Sequence, residues 1–413
     1  MSLLRADAFP EAAVRARAST GPADAFPDPG GYGRTLYGFA PAHPSALAGD
    51  VIDELRLVPP VFVPQRLAKL IDLAREPVYR DVRLDTVVGG LPSALPLYVS
   101  AFGSTQAASA NLGVAASRQA GRLGIPMVIG ENVTPVNGYG RLEKGAQHSL
   151  LTRITAYLEH VPDGMGGVVV QQSTEDADAE VWNLVYSDPN AQTLLQSGRL
   201  AFELKVGQGA KPGLGGMTML DTPAATRLAN AFTIDPVFGA DSDTLLRSSS
   251  PGTFTEEILR QQIRLMRNNY PRAKIWVKLP PARDVREAGL VAWDAGVDAV
   301  TVDGAEGGTG WAPVSFLQHV GLPLGECLRR IGEHPSCLLV SGRMWEGARV
   351  AKCLALGANA AGLGRAALLA VDTDTESGLV NLVECLTLEL QMLTSALGKY
   401  HVGALSPEDV WSA

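Results

Sequence analysis

The stretch Gly207-Gln-Gly-Ala-Lys-Pro-Gly-Leu-Gly-Gly216 holds five glycines in ten residues and places Lys211 beside Pro212. Backbone without Cβ atoms can pass close to a flat ligand, and Gln208 and Lys211 can supply polar contacts to it. From these residues alone we predict a ligand-binding loop. An apolar run that ends at Lys205 precedes the loop, which places it after a strand.

Short apolar runs alternate with helical segments on both sides of this loop, from Leu95 onward. Strands that alternate with helices form parallel sheets, and eight strand candidates fit a closed barrel better than a doubly wound sheet. The sequence therefore predicts an α/β fold: a (β/α)8 TIM barrel with an irregular N-terminal arm and a C-terminal helix. The predicted strands are Leu97–Ser100, Pro126–Ile129, Gly167–Gln171, Ala201–Lys205, Ile275–Leu279, Ala299–Val302, Cys337–Ser341 and Ala360–Leu363. Helices are predicted at Thr105–Leu123, Thr255–Asn269, Val285–Ala295 and Trp345–Leu356.

Three regions follow from this rhythm. Residues 1–90 are predicted to be an arm and extension that pack on the barrel; Phe26-Pro-Asp-Pro-Gly-Gly-Tyr-Gly33 has too much proline and glycine for a regular element, and one helical stretch lies near Pro64–Arg75. Residues 91–375 are predicted to form the barrel, with an inserted loop region at about 206–254. Such an insertion would follow a strand's carboxyl end, on the active-site face. Residues 376–413 are predicted to be a helical tail.

Composition excludes several classes of function. The 413 residues carry a net charge of −8, whereas nucleic-acid-binding domains usually present a basic surface. The four cysteines include no C-x-x-C pair, so we predict buried free thiols and no metal site. The sequence contains neither an apolar leader nor a run of eighteen apolar residues, and we expect a cytoplasmic protein that does not span a membrane.

The last two predicted strands end in glycine and arginine. Leu338-Leu-Val-Ser-Gly-Arg343 and Ala360-Ala-Gly-Leu-Gly-Arg365 stand where a barrel's phosphate site is usually built, after strands seven and eight. Glycine lets backbone N–H groups approach a phosphate, and arginine adds a fixed fork of charge. These residues favour a phosphate-bearing cofactor; the alternative is ordinary strand-to-helix turns.

Two further features mark the same face of the barrel. Lys278 ends an otherwise apolar strand, where an ammonium group is costly unless it has a partner. At the barrel mouth it would stabilise negative charge on a reduced ring; the alternative is a solvent-facing lysine. Thr301-Val-Asp-Gly-Ala-Glu-Gly-Gly-Thr-Gly310 runs from a strand into glycines and predicts a loop over the mouth, or else a flexible connection.

Taken together, these motifs resemble the FMN-binding synthase domain of the glutamate synthase family. The Gln-Gly-Ala-Lys-Pro-Gly core, the lysine strand Pro271-Arg-Ala-Lys-Ile-Trp-Val-Lys-Leu279, the glycine loop after Thr301 and the segment Leu356-Gly-Ala-Asn-Ala-Ala-Gly-Leu-Gly-Arg365 occur in the family's order. The likeness covers about residues 90–405. It implies noncovalent FMN and hydride transfer at the flavin ring.

The resemblance also implies roles for individual residues. Lys278 would face the pyrimidine edge of the ring, and Gln208 and Lys211 would face the ring or the substrate. Candidate acid–base groups are Glu131, Asp303, Glu306 and Lys211, which all lie on predicted mouth loops. The predicted cofactor-binding residues are Ser100, Ala101, Phe102, Gln208, Lys278, Gly307, Gly308, Ser341, Gly342, Arg343, Gly364 and Arg365.

Departures from the family pattern limit the resemblance. The family's iron–sulfur cysteines are replaced by Val371-Asp-Thr-Asp-Thr-Glu-Ser-Gly378, and we expect neither a cluster nor a glutaminase domain. Leu214 replaces the acidic residue that the family has in the glycine-rich stretch, and Met217 replaces the polar residue that follows the stretch. A pocket lined by these residues should prefer a ligand less polar than 2-oxoglutarate, or of another shape.

The leading hypothesis is a stand-alone FMN-dependent oxidoreductase that transfers hydride to or from an amino acid, imine or related small-molecule substrate. NAD(P)H or a separate reductase is the candidate electron partner, and a homo-oligomer is compatible with the sequence. Two alternatives stay open. One is a non-redox reduced-flavin isomerase or lyase similar to type 2 isopentenyl diphosphate isomerase. The other is an FMN-binding subunit of a larger amine-transferring complex.

Overall fold

A closed barrel of eight parallel strands forms the centre of the structure, a computed structural model. It describes residues 4–5, 9–22, 50–101, 111–130, 146–174, 179–209, 218–230, 232–236, 243–248, 254–307 and 319–411. The barrel closes where β8 pairs with β1, Leu363 opposite Val99. Every predicted strand is present, so the TIM-barrel prediction is confirmed. The strands are β1 (Leu97–Val99), β2 (Met127–Ile129), β3 (Val168–Ser173), β4 (Leu200–Lys205), β5 (Lys274–Leu279), β6 (Ala299–Asp303), β7 (Leu338–Ser341) and β8 (Ala360–Leu363).

Helices follow the strands around the outside of the barrel. The helix after β4 shows why such a segment is helical: the Thr255 hydroxyl accepts from the backbone N–H of Ile258, and Leu259, Ile263 and Met266 are buried on one face. The helices after successive strands are Asn111–Leu123, Ala146–Leu158, Ala179–Ser187 with Gln192–Gln196, Glu256–Asn269, Val285–Asp294, Leu324–Ile331, Gly347–Ala355 and Arg365–Thr373.

A short hairpin contacts the side chains inside the barrel. Its strands are Thr86–Val88 and Leu91–Ser93. Trp276 of β5 is fully buried there and donates from Nε1 to the carbonyl oxygen of Gly89 at 2.8 Å. Because side chains alternate along a strand, Trp276 and Lys278 face the same way, with the apolar residue nearer the strand's amino end. Lys278 therefore lies nearer the carboxyl end of the barrel than Trp276 does.

The N-terminal region contains a helix, Glu11–Thr20, that the sequence did not predict. Arg17 binds both carboxylate oxygens of Glu389, at 2.9 and 2.6 Å, and the backbone N–H of Gly347 donates to the same carboxylate at 2.6 Å. The contact ties this helix to the C-terminal helix Gly378–Ala396. The remaining helices of the region are Val51–Glu54 and Pro64–Leu73, and strand Arg56–Leu57 pairs with Val410–Trp411.

The predicted insertion follows the carboxyl end of β4 and carries elements of its own. Strands Thr218–Asp221, Thr233–Asp235 and Thr244–Ser248 form an antiparallel sheet with the last strand in the middle, and helix Thr222–Leu228 follows the first. Within the residues the structure describes, no helix has both the length and the apolar character needed to cross a membrane.

Candidate functional site

Two strands supply an ion pair at the carboxyl end of the barrel interior. Lys278 of β5 and Asp303 of β6 lie 3.0 Å apart, with side chains 7% and 9% exposed. The hydroxyl of Ser341, at the end of β7, donates to the other oxygen of Asp303. Desolvated charges of this kind are stable only when paired, so the three side chains form one unit. The lysine predicted from the apolar strand is therefore buried and paired, rather than solvent-facing.

A second carboxyl group lies deeper in the barrel. Glu203 of β4 accepts hydrogen bonds from Gln171 Nε2, at 2.5 Å, and from the hydroxyl of Thr301. Burial raises the pKa of Glu203, although the charge of Lys278 and the two hydrogen bonds oppose the rise. A charged carboxylate here is disfavoured, and its hydrogen bonds fix its position below Lys278.

The ends of β7 and β8 carry the predicted phosphate-binding residues. Gly364 precedes the first residue of helix Arg365–Thr373, where free N–H groups favour an anion. A Cβ atom at Gly364 would meet none of the described atoms within 4 Å, so the backbone there is open. Gly362 differs, because a Cβ atom at that position would overlap the hydroxyl of Ser100 and the ring of Tyr98.

Arg365 is a half-buried cation beside this open backbone. Its Nη2 atom donates to the carbonyl oxygen of Glu306 at 2.5 Å, and the ring of Phe9 stacks 4.6 Å from its guanidinium carbon. Burial lowers the pKa of Arg365, and the charge of Arg343 lowers it further, while Glu306 opposes both. A guanidinium group next to a helix N-terminus is suited to a phosphate group. The residues present therefore fit a phosphate-bearing cofactor.

Arg343 has unusual backbone geometry for a residue with a side chain. Its φ of 56° is in the left-handed region, and the preceding Gly342 has a φ of 144°. The guanidinium group of Arg343 is ion-paired with Asp53, a residue of the N-terminal region. The turn after β7 is thus held from outside the barrel.

Glu306 belongs to a buried ionic network, which we call the Arg349 cluster: Asp50, Asp53, Glu306, Arg343 and Arg349. Arg349 contacts Asp50 at 2.5 Å, Asp53 at 2.8 Å and Glu306 at 2.5 Å. The backbone N–H of Leu324 donates to both Glu306 oxygens at 3.2 Å. Burial, and then the charge of Asp50, raise the pKa of Glu306 to about 8, against the opposing charge of Arg349.

Burial is the largest cause of that rise, and the charge balance of the Arg349 cluster adds to it through Asp50. Two guanidinium groups face three carboxyl groups, so the charges cancel when one carboxyl is protonated. Burial alone would raise the pKa of Asp50. The charge of Arg349 and the hydrogen bonds from Arg349 and Glu306 together outweigh burial, so the pKa of Asp50 is lowered. Glu306 is thus the carboxyl group of the cluster whose protonated form is favoured, and it is buried although its surroundings in the sequence are rich in glycine.

The structure brings together residues that the sequence analysis selected from separate motifs. Ser100, Lys278, Asp303 and Ser341 are buried at the carboxyl ends of β1, β5, β6 and β7. Ala101 and Gln208 are partly buried beyond β1 and β4, and Gly307 ends the turn Ala305–Gly307 after β6. Phe102, Glu131, Lys211 and Gly308 lie outside the described residues.

Sequence reasoning did not select several residues of this region. Gln171 and Glu203 had a signal, since each is a polar residue inside an otherwise apolar strand. Thr301 was quoted only as the start of a loop. Asp50 and Arg349 had no signal, because their partners are distant in sequence.

Comparison with known proteins identifies the family. Residues 137–378, more than half of the chain, match the family described as the conserved region in glutamate synthase. The chain belongs to the glutamate synthase family. The resemblance seen in the sequence is confirmed.

Relatives within and beyond this family match parts of the chain. A glutamate synthase large subunit-like protein of Rhizobium meliloti (strain 1021) is 32% identical over 263 residues, 51% of this chain and 58% of the relative. An archaeal-type glutamate synthase [NADPH] of Thermotoga sp. (strain RQ2) is 34% identical over 180 residues, 41% of this chain and 34% of the relative. An isopentenyl-diphosphate delta-isomerase of Vibrio campbellii is 35% identical over 129 residues, 27% of this chain and 38% of that protein. The chain thus spans between about a third and three fifths of the length of these relatives.

A solved structure supports the fold. An oxidised active mutant of (S)-mandelate dehydrogenase superposes with a TM-score of 0.55 at 19% identity, over 88% of this chain and 89% of that one. At this identity the likeness concerns the barrel architecture alone.

Proposed function

We propose that this chain binds FMN at the carboxyl-terminal face of its barrel and acts as an FMN-dependent oxidoreductase. The observation that carries the proposal is the pairing of open backbone at Gly364 and half-buried Arg365 with a buried lysine, Lys278, on the same face. The first two fit a phosphate group and the third fits the ring of a flavin. Family membership supports the same cofactor.

Each part of the face has a role in this proposal. The N–H groups at Gly342 and Gly364 and the charge of Arg365 would hold the phosphate, while the hydroxyl of Ser341 donates to Asp303. Lys278 would lie at the pyrimidine edge of the ring, where its charge stabilises negative charge. When bound, FMN supplies the hydride-transfer chemistry that protein side chains lack.

The substrate class follows from departures in the loop after β4. Leu214 and Met217 stand where the family has polar residues, which disfavours 2-oxoglutarate. We propose an amino acid, imine or related small metabolite as the substrate. The segment from Val371 to Gly378 contains no cysteine, so electrons would come from the substrate, from NAD(P)H or from a separate reductase.

Proton transfer is assigned to the loops. Of the four acid–base candidates, Asp303 is bound to Lys278 and Ser341, and Glu306 is part of the Arg349 cluster. We therefore assign these two to structural and electrostatic roles. Glu131 and Lys211 remain the predicted proton-transfer residues.

The test begins with cofactor binding. Purified chain is titrated with FMN, riboflavin and FAD, and binding is followed by quenching of flavin fluorescence. We expect FMN to bind at least tenfold more tightly than riboflavin, because riboflavin lacks the phosphate. The yellow protein is then mixed anaerobically with amino acids, amines, hydroxy acids, NADH and NADPH. Equal affinity for FMN and riboflavin would refute the phosphate assignment, and failure of every donor to bleach the flavin band would refute the oxidoreductase.

A second candidate function rests on the match to isopentenyl-diphosphate delta-isomerase. In this version reduced flavin acts in an isomerisation or elimination without net electron transfer. Turnover that requires prereduced FMN and consumes no reductant would favour it. A chain that binds FMN but is reduced only when a second protein is added would instead indicate a subunit of a larger amine-transferring complex.

A further inference from the structure

Lys278, which would lie at the ring of the proposed flavin, forms an ion pair with the carboxylate of Asp303. In the β5–β6 register Lys278 is opposite Thr301, and Asp303 lies two residues further along β6 on the same face. The lysine side chain extends toward the carboxyl end of the barrel, and its Nζ atom lies 3.0 Å from Asp303 Oδ2. The pair therefore lies on the side of the lysine that faces the proposed flavin.

The carboxylate of Asp303 is itself held in place. The Ser341 hydroxyl donates to its second oxygen, and the backbone N–H of Gly304, the next residue, donates to the carbonyl of Ser341 at 2.9 Å. Both charged side chains are more than nine-tenths buried, so water does not screen their attraction. Because Asp303 is held by Ser341 on one oxygen and by Lys278 on the other, the ion pair is expected to be permanent rather than transient.

We infer that Asp303 is a positioning residue that opposes the charge of Lys278 and thereby makes bound FMN harder to reduce. The inference rests on the proposed function. An ammonium group at the ring edge stabilises the negative charge that arrives on reduction. A carboxylate at 3.0 Å from that ammonium cancels much of its field at the ring. The chain thus holds a lysine whose effect on the flavin is attenuated.

The experiment compares the reduction potential of bound FMN in the wild type and in Asp303→Asn, by equilibration with a reference dye. The amide keeps the shape and can still accept from Ser341, but it carries no charge. We expect the variant to bind reduced FMN about tenfold more tightly relative to oxidised FMN, a rise of about 30 mV for a two-electron couple. Asp303→Ser, which removes the charge with less bulk, is the second variant should the amide not fold, and the same direction is expected.

Two further variants separate this mechanism from others. In Lys278→Met the Asp303→Asn change should raise the potential less, because the lysine through which Asp303 acts is gone. Asp298→Asn is the control: Asp298 directly precedes β6, at the opposite end of the same strands, and pairs with Arg267 at 2.5 Å and with Lys274 of β5 at 4.0 Å. This control should leave the potential unchanged.

The outcomes are distinct. An unchanged or lowered potential in Asp303→Asn overturns the inference while FMN binding still supports the proposed function. A rise that is as large without Lys278 also overturns it, because Asp303 would then act on the ring directly. A wild-type chain that binds no FMN refutes the proposed function itself.

Discussion

The protonated carboxyl of Glu306 leads to a prediction about stability and pH. Replacing Glu306 with glutamine keeps the shape and mimics the protonated form. The amide oxygen can accept from Arg349 and Leu324, and the amide N–H can donate to Asp50. Glutamine cannot ionise, so the variant removes one titration from the Arg349 cluster without removing a guanidinium partner. We expect Glu306→Gln to be increasingly stable, relative to the wild type, as the pH rises.

The magnitude follows from the raised pKa. Glu306 has an ordinary value of 4.5 and a folded-state value of about 8. Between these values the unfolded chain has released a proton that the folded chain retains, so the wild type loses stability as the pH rises. The loss is about 1.4 kcal/mol per pH unit, or roughly 3 kcal/mol between pH 5 and pH 7. For a chain of 413 residues this corresponds to about 3 °C in Tm, since the unfolding entropy is about 2 cal/mol/K per residue.

The assay is urea unfolding of both proteins at pH 5, 6, 7 and 8, with refolding checked at each pH. Other titrating groups are common to both proteins and cancel in the difference between their free energies of unfolding. Asp50 titrates below its ordinary value of 3.8 and so stays outside this range. The difference should grow in favour of the variant at every step. A difference that is constant with pH, or that favours the wild type at pH 8, would show that Glu306 is ionised in the folded protein.

Three more predictions concern single contacts. Arg349→Met leaves buried carboxylates without their cation, and we expect the free energy of unfolding in urea to fall by about 3–5 kcal/mol. Gly364→Ala should fold with an unchanged Tm but bind FMN about tenfold more weakly, because its Cβ enters the space proposed for the phosphate. Gly362→Ala should instead lower the Tm, because its Cβ overlaps Ser100 and Tyr98. The reverse order of effects would contradict the phosphate assignment. Trp276→Phe removes the donor to a buried carbonyl and should lower stability by about 1–3 kcal/mol with FMN affinity retained, which equilibrium unfolding and a flavin titration would check.

The barrel could be predicted because its signal is local and repeated. Each strand is a short apolar run, and several are followed by a segment with helical periodicity, so errors at one boundary do not alter the count. Helices Ala146–Leu158 and Leu324–Ile331 were not predicted, although Pro323 and Gly332 mark the ends of the second. The helix at Glu11–Thr20 was missed because its stability comes from contacts such as the pairing of Arg17 with Glu389. Nothing in its own ten residues reports those contacts.

The sequence indicated which residues lie at the mouth of the barrel, but not which of their side chains contact each other. Lys278 was selected because an ammonium group in an apolar strand needs a partner, and the structure supplies that partner in Asp303. The sequence analysis had placed Asp303 among the proton-transfer candidates, since a carboxylate on a mouth loop suits that role. Whether such a carboxylate transfers protons or forms an ion pair depends on the side chains that the neighbouring strand places beside it. Strand order in a barrel can be predicted, but the direction of a side chain at a strand end cannot.

The contacts of Glu306 could not be predicted from the sequence either, because its partners Asp50 and Arg349 are distant in the chain. From the sequence, a glutamate in a glycine-rich mouth loop is a candidate for chemistry. In the folded chain it is 4% exposed, and its pKa is raised first by burial and then by the charge of Asp50. A raised pKa often marks a catalytic acid, but a cluster with one carboxyl group too many produces the same shift without any substrate. The two explanations differ in what glutamine does: it abolishes proton transfer by a catalytic acid, whereas it stabilises a cluster that already holds a proton. Because Glu306 contacts Arg349, Asp50 and the backbone of Leu324, the structure favours the second explanation.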